Sequence, residues 1–359
     1  MGKNTAYLLA YREIKQSKEE FNEYLDEMKE LAKSVDIKIT EVFVQTGMRN
    51  DPKTYFHSGK IKEISAYASE EKPEYIIAAE ELSPLQYKNL IEEFPFEVVD
   101  RSELIFFIFK ANAKTNLGKY KVELAQLQYE ITRMTGKGVS MSRLGAGIGT
   151  RGLGEQKKEL DKRYINTRIK SLKEKIEKDK KSIKQRRKNR INSNLPIVTL
   201  VGYTNVGKTS LLNAMLKQEK GYVKNKYFAT LEPKCKKLFI DQDKFALVND
   251  SVGFISKLPE KLFEAFLSTI EEISFSDLLI IVLSPHEKEA KRQLEIIDDT
   301  LEKLESNDKK KIIIQNKCDL IENCDYPFVS AKTHKNLDTL KIKIKEALWK
   351  EADAENKNQ

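Results

Sequence analysis

The feature that most constrains this chain is an unbroken apolar, largely β-branched run, Ile197 to Val201, that leads into Gly202-Tyr203-Thr204-Asn205-Val206-Gly207-Lys208-Thr209. Ser210 to Lys217 then has the character of a helix. A glycine-rich loop between a strand and a helix start collects backbone N–H groups and the positive end of the helix dipole around an anion. In this G-x-x-x-x-G-K-[ST] pattern, Lys208 is placed to reach the β- and γ-phosphates of a nucleotide and the Thr209 hydroxyl to ligate Mg²⁺. The pattern commits the carboxyl-terminal part of the chain to an α/β fold with a mostly parallel sheet.

Downstream residues select the nucleotide. A second strand, Phe245 to Asn249, ends in Asp250-Ser251-Val252-Gly253. There an acidic residue can hold Mg²⁺ through water and the Gly253 N–H can meet the γ-phosphate. Thr230, within Phe228-Ala229-Thr230-Leu231-Glu232, lies where a switch threonine would close on the metal. A strand at Lys311 to Gln315 leads to Asn316-Lys317-Cys318-Asp319, and a fourth at Pro327 to Val329 leads to Ser330-Ala331-Lys332. A carboxylate at Asp319 can accept from the N1 and N2 hydrogens of guanine together, and adenine lacks that pair of donors. These elements in this order predict a GTP site, with GDP as the product. Phe254 follows Gly253 where Ras-like proteins carry the glutamine that orients the attacking water. It predicts either slow intrinsic hydrolysis that needs a partner or a plain packing residue beside some other means of placing water.

Upstream, residues 1–115 alternate helix and strand signals. Glu19 to Lys33 places Phe21, Tyr24, Leu25, Met28, Leu31 and Ala32 at helical period. Ile37 to Val44, Tyr75 to Ala79 and Val98-Val99 read as strands, Ser83 to Phe94 as a helix, and Arg101 to Phe109 as a buried helix. The sum is a small α/β domain. Residues 116–193 follow as a helical hairpin. Tyr120, Leu124, Leu127, Ile131 and Met134 form one seam, and Ile165, Ile169, Leu172, Ile176 and Ile183 the other. Two such stripes bury each other as an antiparallel pair. Between them, residues 136–154 hold seven of the chain's 15 glycines together with Lys137, Arg143 and Arg151. The GTPase-type domain spans 194–350. Trp349 is expected to pack beside Leu340, Ile344 and Leu348, and 351–359 is expected to be a flexible tail.

The formal net charge of +9 is unevenly placed: residues 133–190 carry +14, and the rest of the chain sums to −5. Lys and Arg outnumber acids about three to one in 157–190, unlike the balanced pairing of a merely solvated helix. The excess asks for a polyanion, and glycine and arginine at the loop suit close approach to phosphates. No apolar run approaches the ~18 residues needed to span a bilayer. No secretory signal is evident, and Cys235, Cys318 and Cys324 contain no Cys-x-x-Cys pair, so a cytoplasmic protein, monomeric, is expected.

The chain resembles the HflX ribosome-binding GTPases. Besides the nucleotide motifs and the Phe-Ala-Thr-Leu segment, the similar residues are Asp51-Pro52 with Thr54-Tyr55, Ser58-Gly59-Lys60, Glu81-Leu82-Ser83-Pro84, Asp100-Arg101 with Glu103-Leu104-Ile105, Gly118-Lys119, Val122 through Leu127, and Ser142-Arg143 through Glu155. The resemblance implies a GTPase that binds the large ribosomal subunit and its rRNA, brings the glycine-rich tip towards the peptidyl-transferase centre, and splits or rescues stalled ribosomes under stress. An rRNA-binding assembly or hibernation factor switched by GTP is the alternative. The chain departs from the family at Leu153, at Gln156-Lys157-Lys158, and in the short span between Asp319 and Ser330.

Overall fold

The computed structural model describes residues 4–113, 115–135, 153–191, 195–216, 234–241, 243–251, 253–254, 271–321 and 325–355. The chain divides into two units. One comprises Met1–Ala111 with Lys119–Ile176, the other Asn112–Gly118 with Glu177–Gln359.

The first unit is built on a four-stranded, wholly parallel sheet in the order β2-β1-β3-β4, formed by β1 (Thr5–Glu13), β2 (Lys38–Gly47), β3 (Tyr75–Ala78) and β4 (Glu97–Asp100). Parallel neighbours need crossovers, supplied by α1 (Lys18–Ser34), α2 (Ser58–Glu71) and α3 (Pro84–Glu93). The six apolar residues picked out in α1 are all buried. Ser17 and Glu20 close a reciprocal cap at its start, and Ser83 and Gln86 do the same for α3, with Pro84 in its first turn. Two elements were not anticipated from sequence. The run Ala6 to Tyr11 is the central strand, buried on both faces, and α2 carries a short stripe of Ile61, Ile64 and Ala68 into the core.

From β4 the chain enters α4 (Arg101–Asn112), then α5 (Asn116–Thr135) and α6 (Leu153–Ile191). These last two form the expected antiparallel hairpin. Arg168 on α6 pairs with Glu123 on α5 at 2.6 and 3.0 Å, and Lys175, further along α6, lies over the ring of Tyr120, further back on α5. The α6 seam is buried at Ile165, Leu172 and Ile176. On α5 the expected seam is only half-buried, and the deepest residues are Val122, Ala125, Tyr129 and Arg133 on the adjacent stripe. The physical reason is that α5 also packs on its other side. Tyr129 meets Phe106 of α4 at 5.6 Å and donates to the Asp100 carboxylate at the end of β4.

The second unit is a five-stranded sheet in the order β6-β7-β5-β8-β9, formed by β5 (Ile197–Gly202), β6 (Lys234–Asp241), β7 (Lys244–Asp250), β8 (Leu278–Leu283) and β9 (Lys310–Gln315). All pairs are parallel except the β6 edge. Helices α7 (Lys208–Met215), α8 (Glu287–Lys303) and α9 (Leu337–Glu355) accompany it. One core cluster joins α7 and α9 to one face through Leu212, Met215, Leu340 and Ile344. The other joins α8 to the opposite face through Ala290, Ile297 and Leu301. One expectation is corrected here. The strand read at Pro327 to Val329 is a single bridge between Gln315 and Phe328, with both backbone hydrogen bonds meeting Gln315, whose N–H donates to the Pro327 carbonyl and whose carbonyl accepts from Val329 N–H. The helix α9 runs on to Glu355. Trp349 packs half-buried beside Leu348, as the stripe suggested.

Candidate functional site

The carboxyl ends of β5, β7, β8 and β9 gather the motifs. In the loop after β5, Asn205 and Gly207 take positive φ values of 62° and 90°. Gly207 is required there twice over. Its φ suits glycine, and a Cβ would lie 2.5 Å from Asn316 Nδ2. No side chain caps the start of α7 at Gly207, so its first N–H groups face the loop interior, as an anion site needs. Lys208 is 6% exposed and donates to the carbonyls of Gly202 at 2.9 Å and Tyr203 at 2.7 Å. Burial pulls its amine down to about 8, with Asp250 opposing that shift.

Thr209 Oγ1 donates to Asp250 Oδ2 at 2.6 Å, which brings together two of the three expected metal-site residues. A hydroxyl and a fully buried carboxylate are the hard oxygen donors that Mg²⁺ takes. Among the described residues there is no cluster of three or more His, Cys, Asp or Glu side chains that could hold a metal by themselves. Ser251 spends its hydroxyl on the Leu200 carbonyl at 2.6 Å. Ser210 is half-buried on α7.

The segment after β7 is joined edge to edge with the phosphate loop. Phe254 N–H donates to Gly202 at 3.0 Å, and Thr204 N–H donates to Phe254 at 2.7 Å. Gly253 permits this approach, since a Cβ there would stand 2.8 Å from Thr204 Cα. The Phe254 side chain is buried with Val201, Ile273, Leu279 and Ile281. The side chain packs in the core and offers no hydrogen-bonding group to a water.

Asn316 is a hub at the end of β9. Its Nδ2 donates to the Val206 carbonyl at 2.8 Å and its Oδ1 accepts from Ala331 N–H at 3.1 Å, tying the phosphate loop to the Ser330–Lys332 segment. Lys317 adopts a φ of 65°. Burial pushes its amine down, against the pull of Glu289 and Asp319. Asp319 accepts from Ser330 Oγ at 2.6 Å and lies 3.9 Å from Lys332 Nζ. The Ser330 hydrogen bond, with help from Lys332 and Lys317, holds its carboxyl below the usual range. The carboxylate is thus ionised and steered, the state that accepts from two N–H donors.

Phe228, Ala229, Thr230, Leu231, Glu232, Val252, Lys137, Arg143 and Arg151 lie outside the described residues. Two polar networks escaped the sequence reading. In the second unit, Ser284, Glu289 and Gln293 are joined. In the first, Asp100, Glu103 and Arg133 are joined beneath Tyr87. The second had a visible signal in Asp100-x-x-Glu103 ahead of an apolar run, a helix-start pattern. No helix among the described residues is long and apolar enough to cross a membrane.

Comparison with known proteins agrees with this geometry. Residues 22–110 match a family described as the GTP-binding GTPase N-terminal region, 112–190 the GTP-binding GTPase middle region, and 197–317 a 50S ribosome-binding GTPase family. GTPase HflX of Caldanaerobacter subterraneus subsp. tengcongensis is 38% identical over 343 residues, covering 94% of this chain and 80% of that protein. GTPase HflX of Escherichia coli K12 is 32% identical, covering 84% and 70%. That of Methanocaldococcus jannaschii is 37% identical, covering 90% and 83%. A crystal structure of a GTP-binding protein from Sulfolobus solfataricus with GDP shares the fold, with a TM-score of 0.52 at 24% identity over 96% of this chain and 98% of that one. With the phosphate loop, the paired Thr209 and Asp250 and the steered Asp319 in place, the chain belongs to the HflX family of P-loop GTPases.

Proposed function

We propose that this GTPase binds the large ribosomal subunit through the hairpin and the amino-terminal domain, and couples GTP binding and hydrolysis to splitting or rescue of stalled ribosomes. Lys208 holds the β- and γ-phosphates; Thr230 and the Gly253 N–H complete the contacts to the reacting phosphate. Mg²⁺ is held by Thr209 and Thr230 and, through water, by Asp250. Asp319 reads guanine, with Asn316, Lys317 and Ser330 to Lys332 supporting it. GTP orders the switches and favours the ribosome-bound state, and hydrolysis releases it. Lys137, Arg143 and Arg151 meet rRNA at the tip, mostly through phosphates and shape. The protein works as a monomer.

The observation that carries this reading is the concentration of charge. Along α6, Lys162, Arg163, Lys170, Lys173 and Lys178 are exposed, on a chain that is otherwise slightly acidic. A metabolic NTPase leaves that arm unexplained. The test is sedimentation of purified ribosomes with the protein loaded with a non-hydrolysable GTP analogue. Separation of the subunits is expected. Stable binding without separation would overturn the splitting role and leave the assembly or hibernation role.

A further inference from the structure

The loop after β5 carries a buried hydroxyl that no other side chain of the site engages. Thr204 is 6% exposed, and its Oγ1 is fully buried with no hydrogen-bond partner among the described residues. The neighbouring hydroxyls are committed, Thr209 to Asp250 and Ser251 to the Leu200 carbonyl, each at 2.6 Å. A buried hydroxyl without a partner is costly, and where a fold keeps one it calls for a strained, catalytic or ligand-filled place.

The backbone fixes where Thr204 stands. The peptide joining Tyr203 to Thr204 is clasped from two sides: its carbonyl accepts from Lys208 Nζ at 2.7 Å, and its N–H donates to the Phe254 carbonyl at 2.7 Å. Thr204 therefore lies between the lysine read as holding the β- and γ-phosphates and the glycine read as meeting the γ-phosphate. It packs tightly on that glycine, since a Cβ on Gly253 would come within 2.8 Å of both Cα and Cγ2 of Thr204. A β-branched side chain has few χ1 choices, so a methyl seated against Gly253 also holds the hydroxyl in one direction. The chemistry of the neighbours then matters. The Lys208 ammonium and the Gly253 N–H only donate, and Phe254 does neither, whereas a hydroxyl can accept a hydrogen bond from a water.

We propose that the Thr204 hydroxyl orients the attacking water in GTP hydrolysis, the role that Phe254 cannot fill. In that step the water oxygen bonds to the γ-phosphorus. The bond from that phosphorus to the β–γ bridging oxygen breaks, and its electron pair leaves on GDP. A proton of the water passes to the released phosphate, and Thr204 is unchanged. The inference rests on the reading that Lys208 and Gly253 face the γ-phosphate, and the experiment separates the two.

The experiment is single-turnover GTP hydrolysis by the full chain without ribosomes, alongside the affinities for a fluorescent GDP and a non-hydrolysable GTP analogue. Thr204→Val keeps the shape and the methyl contact while removing the hydroxyl. Hydrolysis is expected to fall by about tenfold or more, with both affinities held within about 2-fold. A rate within about 2-fold of wild type would overturn the proposal. An equal loss in rate and in affinity for either nucleotide would overturn it too, because Thr204 would then act only on the shape of the loop or on binding. Should the valine variant fail to fold, Thr204→Ser and Thr204→Ala both lack the methyl and differ only in the hydroxyl. The serine variant is expected to hydrolyse GTP about tenfold or more faster than the alanine variant, and equal rates would overturn the proposal. Lys208→Ala serves the underlying reading: if it binds the GTP analogue as tightly as wild type, the phosphate assignment falls, whatever Thr204 does.

Discussion

Lys208 illustrates how a residue legible from sequence acquires a property that only the structure gives. The motif supplies its role; the depth of the loop supplies its proton affinity. A buried amine held by two carbonyls and pulled down to about 8 is largely protonated at neutral pH, and triphosphate oxygens favour that charged form further. The complex then holds its proton more tightly than the free protein, so nucleotide affinity falls as pH rises above about 8. The expected slope approaches about tenfold per pH unit, against a flat profile between pH 6 and 7.5. Titration of GDP binding across pH 6 to 9.5 checks this, and an affinity unchanged to pH 9.5 would contradict it. Phe254 shows the opposite limit. Its lack of a hydrogen-bonding group is plain in the sequence, but its burial among Val201, Leu279 and Ile281 depends on where β8 lies, and no local pattern encodes that.

At the scale of elements, α5 is anchored by a buried charge cluster. Arg133 pairs with Asp100 at 3.3 Å and with Glu103, while its guanidinium lies 3.5 Å over the ring of Tyr87. Asp100 is fully buried and also accepts from Tyr129 and from Leu82 N–H. Removing one partner of such a group leaves a charge without compensation, so Arg133→Met is expected to cost about 3–5 kcal/mol of stability, measured by denaturant unfolding. Burial, with Asp100 adding to it, pushes Glu103 up from 4.5 to about 7. A carboxyl that binds its proton more tightly in the folded state stabilises the fold at low pH, and that contribution is lost as pH rises from about 4.5 to about 7. Glu103→Gln should flatten this part of the stability profile; an unchanged slope would contradict the assignment.

The same helix shows what the sequence could and could not reveal. The antiparallel hairpin was legible because its stripes repeat at coiled-coil spacing. The second buried face of α5 was not, because Arg133 reads as surface charge until Asp100 is seen opposite it. The run Ala6 to Tyr11 was visible but had no period, since a strand buried on both faces has none. The β6 edge escaped for the converse reason: lysines at 234, 236 and 237 conceal the alternation of Leu238 and Ile240. Capped helices and glycine-bearing turns carry their signals locally; edges, central strands and buried ion pairs take theirs from neighbours distant in sequence.

For the whole molecule, the structure refines the charge argument. Some of the excess on 133–190 is neutralised within the first unit, at Arg133 and at Arg168 with Glu123, while Lys162, Lys170, Lys173 and Lys178 of α6 are exposed. The molecule thus carries a nucleotide site with no hydrogen-bonding side chain at Phe254 and a basic helix in the proposed rRNA-binding arm. The two are coupled if ribosome binding completes the catalytic site. The most direct test is the steady-state GTPase rate of the full chain with and without saturating purified large ribosomal subunits. Slow hydrolysis alone and acceleration by about tenfold or more with subunits are expected. An equal rate in both conditions would contradict this.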